Sequence, residues 1–459
     1  MKNNTLTQGP IFKALFSFSL PIIITNTIGI LFHAADVAVL AFLVDGPAVA
    51  AVGACGSLIT LMVSLFTGLA TGANVLISKR VGAADESGTK KAIGTSLTVG
   101  LFSGIFLMIV AWLFAKRFLI WMNCQPDVLD MATLYMKIYF LGAPIMMLNS
   151  FSVAVLRSEG DSMRPMLYSI LSGITNVLAN VFFVTVFHLT VEGVALATVL
   201  SSLFSLLLAS KRLFKGSGIC RITKKDMHIH KEELLEIVRV GIPTCFCSLS
   251  FYAANVILAS AVNSMSTDAM TANAISGQFD GIIYTVGAAI ASGASVMVAQ
   301  NYGAQRPDRI QRTIRIGVIY VTVVSILLGT VFVLFAEPML KLLSNDASVI
   351  AIAKDRMTLL CLTYFITSIM EVFAFSLRAL KRQKSTMVVG AVCGFGIRCL
   401  WRWFIWPLHP TLSMLFACFA VSAFAAILIY LFVYRGVVKE MSHTVSSRTY
   451  TRLHETLKS

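Results

Sequence analysis

Apolar residues run along this chain in blocks of twenty and more, parted by short polar stretches at nearly regular intervals. Twelve such blocks fall at roughly 11–44, 47–78, 92–115, 131–157, 163–187, 191–212, 236–264, 267–299, 312–336, 347–377, 386–407 and 411–434. A helix rises about 1.5 Å per residue, so about twenty apolar residues cross a hydrocarbon layer about 30 Å thick. Strands of alternating polarity, which a membrane β-barrel needs, are absent from the pattern. The expected fold class is an all-α membrane protein with twelve transmembrane helices. Met1 to Gln8 is short and polar, and the first apolar run has no small-residue cleavage site, so the first helix is expected to be retained rather than removed as a signal peptide.

The blocks repeat. GANVLISKRVGA at 72–83 returns as GASVMVAQNYGA at 293–304, an offset of 293 − 72 = 221 residues. At the same offset Arg157 falls on Arg378, and at 219 FHAADVAVLA (32–41) falls on FYAANVILAS (251–260). Each half holds six spans, an even number, so both halves start on the same side of the membrane. The prediction is two six-helix lobes related by a parallel internal repeat. The boundaries read as a first lobe over 1–212, a cytoplasmic linker over 213–235, a second lobe over 236–435 and a cytoplasmic tail over 436–459. Transporters built from two repeats commonly bind substrate near the midplane and alternate access by rocking one half against the other. Glycines in the repeated helix ending would permit close helix contact.

Composition agrees with the pattern: 57% of residues are hydrophobic and 13% charged, with a mean hydropathy of +0.81. The net charge of +15 would suggest nucleic acid in a soluble protein. Here the basic residues crowd alternate loops, at Lys79 to Lys91, Arg157 and Arg164, Lys211 to Lys231, Arg306 to Arg315, Arg378 to Lys384 and beyond Arg435. The positive-inside rule then places both termini in the cytoplasm, with the lipid bilayer and not nucleic acid as partner. The tail from Ser442 reads as a disordered or surface-lying end. Nine scattered cysteines read as small packing residues. No GxxxxGK[ST] phosphate loop and no HExxH metal pair is written. An enzyme is not expected.

FHAADVAVLAFL, AVAAVG, GLATGANVLISKRVGAAD, LRSEGDSMRP and NVLANVFFVTVFHLTVEGVALATV, with GQFDGIIY, SVMVAQNYGA and GFGIRCLWRWFIWP in the second half, resemble the multidrug and toxic compound extrusion (MATE) family, in its Firmicute-type bacterial branch of the MOP flippase superfamily. The likeness covers about residues 11 to 435. It implies a multi-pass protein of the bacterial inner membrane, working as a monomer without a cofactor. Its expected activity is secondary active antiport, exporting small amphipathic, cationic organic compounds in exchange for Na⁺ or H⁺ by alternating access. A flippase for lipid-linked saccharides is the alternative within the superfamily. A receptor or scaffold without transport is the alternative outside it.

Ionisable residues deep in a span cost about 2.5–3.5 kcal/mol on insertion scales and are candidate functional groups. Asp36 lies about twenty-five residues into the first span, where a carboxylate would take up a proton or bind a cation. The resemblance makes it the acid that binds the coupling ion. In the span 163–187 the family's frequent Asn-x3-Asp reads Asn176 and Asn180. An amide coordinates Na⁺ through its oxygen but takes up no proton. Two readings stay open: Asp36 with Asn176 and Asn180 as a Na⁺ cage, or Asp36 alone as a proton carrier. The repeat partner of Asp36 is Asn255, and the acids of the second half stand elsewhere, at Asp280 and Glu371. Arg398 and Arg402, at i and i+4, are their expected counter-ions, in a static network or as a proton or substrate switch. Phe32, His33, Met147, Tyr252, Asn255, Gln278 and Tyr284 are candidate cavity residues, and His33 is a candidate proton partner of Asp36.

Overall fold

A computed structural model describes residues 6–44, 46–122, 124–216 and 218–456; the side chains of His33, Val37, Ala41, Leu43, Lys224 and the residues from Ser442 onward lie outside the described set. Helices α1 (Ile11–Leu43), α2 (Gly46–Gly82), α3 (Glu86–Trp121), α4 (Pro126–Leu141), α5 (Ala143–Ser158), α6 (Met163–Val186) and α7 (Val191–Lys215) form the first half. The second holds α8 (Lys231–Asn263), α9 (Thr267–Gly303), α10 (Pro307–Leu334), the short α11 (Ala336–Lys341) and α12 (Ala347–Ala379). It closes with the spans Gln383–Leu408 and Leu412–Met441. Among the described residues eleven helices are long and apolar enough to cross a membrane, and the pair α4 and α5, bent by 48°, makes a twelfth when taken as one span.

The span read at 131–157 is therefore a bent pair of helices. Gly142 stands between α4 and α5, and Pro144 follows it at the second position of α5, where its fixed φ suits a helix start and its missing N–H breaks the preceding ladder. The span Gln383–Leu408 also departs from a plain helix: Gly390–Ile397 and Trp401–Ile405 wind as π-helix, with one residue more per hydrogen-bonded turn. The final helix, Cys418–Thr456, continues through the stretch expected to be disordered or surface-lying.

The helix packing forms two compact units. The first contains Ser17–Leu249 and the second Leu6–Phe16 with the chain from Ser250 onward. Their limits fall inside α1 and α8 and not in the connection 213–235. Each opening helix therefore starts in the unit to which the other half gives most of its residues. In the first unit Gly68 and Gly72 of α2 let α8 lie close: a Cβ at Gly72 would stand 2.4 Å from the Ile237 carbonyl oxygen, and one at Gly68 would stand 2.5 Å from Cys245 Sγ. The connection packs here too, with Cys220 and Ile222 each 1% exposed. Its Asp226 carbonyl oxygen fills the space beside Gly94 of α3.

The repeated helix endings are alike down to backbone torsions. Ala84 (φ 54°) follows α2 and Gln305 (φ 55°) follows α9; Gly160 (φ 94°) and Lys381 (φ 64°) form a second pair. Each ending closes with a bond reaching back five residues: Asp85 N–H to the Arg80 oxygen (3.0 Å), Arg306 N–H to Asn301 (2.9 Å), Asp161 N–H to Leu156 (3.1 Å) and Arg382 N–H to Leu377 (2.9 Å). This is the Schellman closure, which turns a chain sharply while satisfying the last carbonyls.

What each ending holds differs. In the first unit Lys79 and Arg80 pair with the start of α8: Arg80 lies 2.7 Å from Glu233 and Lys79 3.6 Å from Glu236. In the second unit the equivalent residues are neutral. Gln300 accepts from the Leu6 N–H at 2.9 Å, and Asn301 donates to the Leu6 carbonyl oxygen at 3.4 Å. Arg306 and Arg309 then hold the carbonyls of Thr7 (2.8 Å) and Gly9 (3.0 Å).

Candidate functional site

In the first unit α6 brings Asn176 and Asn180 to one face, one helical turn apart, and both are buried. Asn180 donates through Nδ2 to Asp36 of α1 and, at 3.3 Å, to the Oδ1 of Asn176. Asn176 in turn donates to Thr198 Oγ1 of α7 at 3.5 Å. Thr198 spends its own hydroxyl hydrogen on the Val194 carbonyl at 2.9 Å, which leaves oxygen lone pairs on the side facing Asn176. The Oδ1 of Asn180 is buried with no hydrogen-bond partner. Turning that amide over would bring its oxygen against the Asp36 carboxylate, so the assigned orientation is the favourable one. Asp36 also lies within electrostatic reach of Tyr135 and Tyr139 on α4.

The set of Asp36, Asn176, Asn180 and Thr198 thus offers one carboxylate, two amide oxygens and a hydroxyl, drawn from three helices. All are hard oxygen donors, suited to an alkali cation and not to a thiophilic metal. Among the described residues no group of three His, Cys, Asp or Glu is placed to hold a metal ion. The backbone needs a close approach to build the set. A Cβ on Gly173 of α6 would fall 1.7 Å from the ring of Phe32, so the glycine is what lets α6 lie against α1 one turn from Asp36.

The second unit handles its acid differently. Asp280 of α9 is buried and paired with Arg356 of α12 at 2.8 Å. Arg356 also donates to Ser276 at 3.0 Å and lies 4.2 Å from the Phe416 ring. Arg398 and Arg402 are therefore not the counter-ions of Asp280. Arg398, 3% exposed, is set between aromatic faces, 3.9 Å from Phe419 and 5.2 Å from Phe251, and bonds Ser422 at 3.4 Å. Arg402 lies over Trp406 at 4.3 Å. Glu371 is under the fields of Arg378 and Arg398.

Around that charge lies an aromatic group. Tyr284 stacks on Phe251 at 5.9 Å and meets Tyr364 edge-on at 6.4 Å, while Tyr252 stands edge-on to Phe251 at 5.9 Å. Asn255 is half-buried on α8, and Gln278 is exposed two residues before buried Asp280, on another face of α9. Met147 is a core residue, 1% exposed among Met136, Phe140 and Ala143 of the first unit. His33 lies outside the described side chains.

Two partners escaped the sequence. Arg356 stands near the start of α12, where Lys354 and Asp355 surround it with charge of both signs, so nothing in the sequence ties it to Asp280. Thr198 is one of many hydroxyls in apolar helices that bond their own i−4 carbonyl, a weak signal.

Apolar helices of spanning length, a duplicated chain path and acids held inside each half define a multi-pass helical membrane transporter. Comparison with known proteins gives the family. A family model described as MatE matches twice, over residues 21–182 and 243–403, once in each half. The chain belongs to the MatE family. It is 24% identical over 376 residues to the probable multidrug resistance protein YoeA of Bacillus subtilis (strain 168), covering 80% of this chain and 81% of that one. To the multidrug export protein MepA of Staphylococcus aureus (strain NCTC 8325 / PS 47) it is 21% identical, over 84% and 86%. Among solved structures, a MATE protein in the straight conformation superposes with a TM-score of 0.89 at 19% identity over 96% of this chain and 99% of that one. A multidrug resistance MATE family transporter in an outward-facing conformation gives 0.87 at 20% identity over 96% and 99%. At those identities the structures speak for the fold.

Proposed function

We infer that this protein is a multidrug exporter of the bacterial cytoplasmic membrane, driven by Na⁺ moving inward through the Asp36 site. The observation that carries the reading is the buried, unpartnered Oδ1 of Asn180, beside a carboxylate in a chain of amide and hydroxyl oxygens. An oxygen buried without a partner costs about 1–3 kcal/mol. A monovalent cation held by Asp36 and by this oxygen, once the amide turns from its bond to the carboxylate, removes that cost and neutralises the carboxylate together, which makes the packing of α1 on α6 depend on the ion. That dependence is what coupling requires: the ion favours one arrangement by its difference in affinity for the two.

The drug site is assigned to the aromatic group of the second unit, where Tyr252, Tyr284 and Tyr364 offer ring faces and Glu371 a carboxylate for an amphipathic cation. Two equal repeats and basic alternate loops support alternating access by a monomer with both termini in the cytoplasm. The names of YoeA and MepA, a multidrug resistance and a multidrug export protein, support the substrate class.

The test is efflux of a fluorescent cationic dye from cells or inverted vesicles, with Na⁺ and pH gradients imposed separately. Wild type is expected to respond to Na⁺, and Asp36→Asn to fall to background at equal expression. Transport driven only by the pH gradient would make Asp36 a proton carrier; an unaffected variant would remove the coupling site from the first unit.

A further inference from the structure

A groove of about 950 Å³ opens on the basic end of the second unit, between α10, the end of α12, the start of the span Gln383–Leu408 and the last helix. Its polar wall carries Arg315, Arg382, Arg435 and Lys439 against one acid, Glu440. Glu440 is already engaged with Arg382. Arg315, Arg435 and Lys439 are exposed and give the mouth an uncompensated positive charge. One turn along the same helices the lining is hydrocarbon: Val318, Ile319, Phe432 and Val433, with Phe432 80% and Ile319 56% exposed. The groove therefore sits where an apolar helix surface gives way to cations, at the depth of lipid headgroups.

We propose that this groove binds an anionic phospholipid, its phosphate held by Arg315, Arg435 and Lys439 and its acyl chains laid along Ile319 and Phe432. Basic pockets between membrane helices near the interface recognise such headgroups, each Lys or Arg contributing about 1 kcal/mol, or about fivefold in affinity. The apolar wall distinguishes the ligand from a soluble anion, which has no use for it. The chain's own end is a poor occupant, since Arg448, Arg452 and Lys458 outnumber Glu455 there and would be repelled.

The full-length protein in detergent is titrated with phosphatidylglycerol or phosphatidylcholine, and bound lipid is counted by native mass spectrometry. Phosphatidylglycerol is expected to bind first, and Arg315→Ala/Arg435→Ala/Lys439→Ala to lose on the order of 100-fold in affinity for it. Lys91→Ala/Lys211→Ala/Lys215→Ala, the same charge removed from exposed positions of the first unit, is expected to stay within about twofold of wild type. Equal losses in the two triple variants would mean diffuse charge and overturn the proposal. So would equal binding of both lipids, or displacement of phosphatidylglycerol by free glycerol phosphate, which would reveal a soluble-anion site. Should the triple variant misfold, Lys439→Glu tests the same point at one exposed residue and is expected to lose at least tenfold.

Discussion

At the ends of α2 and α9 the two halves are built alike, and around their buried acids they part. Both endings turn through a residue near φ 55° with the same five-residue closure. Asp36, near the end of α1, accepts from the amide of Asn180, whereas Asp280, within α9, is paired with the guanidinium of Arg356. A carboxylate locked to a guanidinium is neutralised by the fold itself. One that accepts from an amide in a chain of amide and hydroxyl oxygens has hard donors beside it for the ion proposed above. The duplication has thus kept what shapes the chain and varied what binds, and the two acids should fail in different ways when removed.

The sharpest test is Asp280→Asn, which strands the Arg356 guanidinium and is expected to cost about 3–5 kcal/mol, read as a lower midpoint in detergent denaturation. Asp36→Asn should leave that midpoint nearly in place. Equal destabilisation by both would erase the distinction drawn between the units. Gly173→Val should cost about 1–3 kcal/mol by overpacking, because its side chain would enter the Phe32 ring; Phe32→Ala in the same chain should recover part of the loss. Next comes Thr198→Val, which removes one oxygen from the proposed Na⁺ set and should weaken Na⁺ binding by about fivefold, about 1 kcal/mol, with no change in the denaturation midpoint at zero Na⁺. Calorimetry showing unchanged affinity would leave Thr198 as a spacer. Smallest of all, Ala84→Gly and Gln305→Gly should each raise stability by about 0.5 kcal/mol, since a left-handed turn suits glycine. Unequal gains would show that the two endings are less alike than their torsions.

The spans and the duplication were legible because the bilayer imposes a length of apolar sequence that nothing else in a chain needs. Asp36, Asn176 and Asn180 were legible as a group for a related reason: polar residues are costly there, and the i, i+4 spacing puts the two amides on one face. Partners across helices were not, since pairing depends on rotation and depth. Arg356 sits one side chain from Asp280 in space and 76 residues away in sequence, while the expected counter-ion Arg398 turns to Phe419 and Ser422. The π-helical turns around Arg398 compound this, because they alter which residues share a face after any spacing rule has been applied. The bend at Gly142 was overlooked because hydrophobicity runs through it unbroken.

Placing Leu6–Phe16 in the second unit has a consequence for how the protein is made. The ribosome delivers Leu6 first, but its amide partner, Gln300, emerges 294 residues later. At about 5–20 residues per second the strap waits many seconds for its seat. The first unit in turn is incomplete until Leu249 has been synthesised, beyond the connection that joins the halves. Neither half can finish as an independent folding event on the way out. A chain truncated anywhere before Gln300 leaves Leu6 without the amide oxygen it bonds in the finished fold, so the segment Leu6–Phe16 is among the last to find its place although it is among the first to be made.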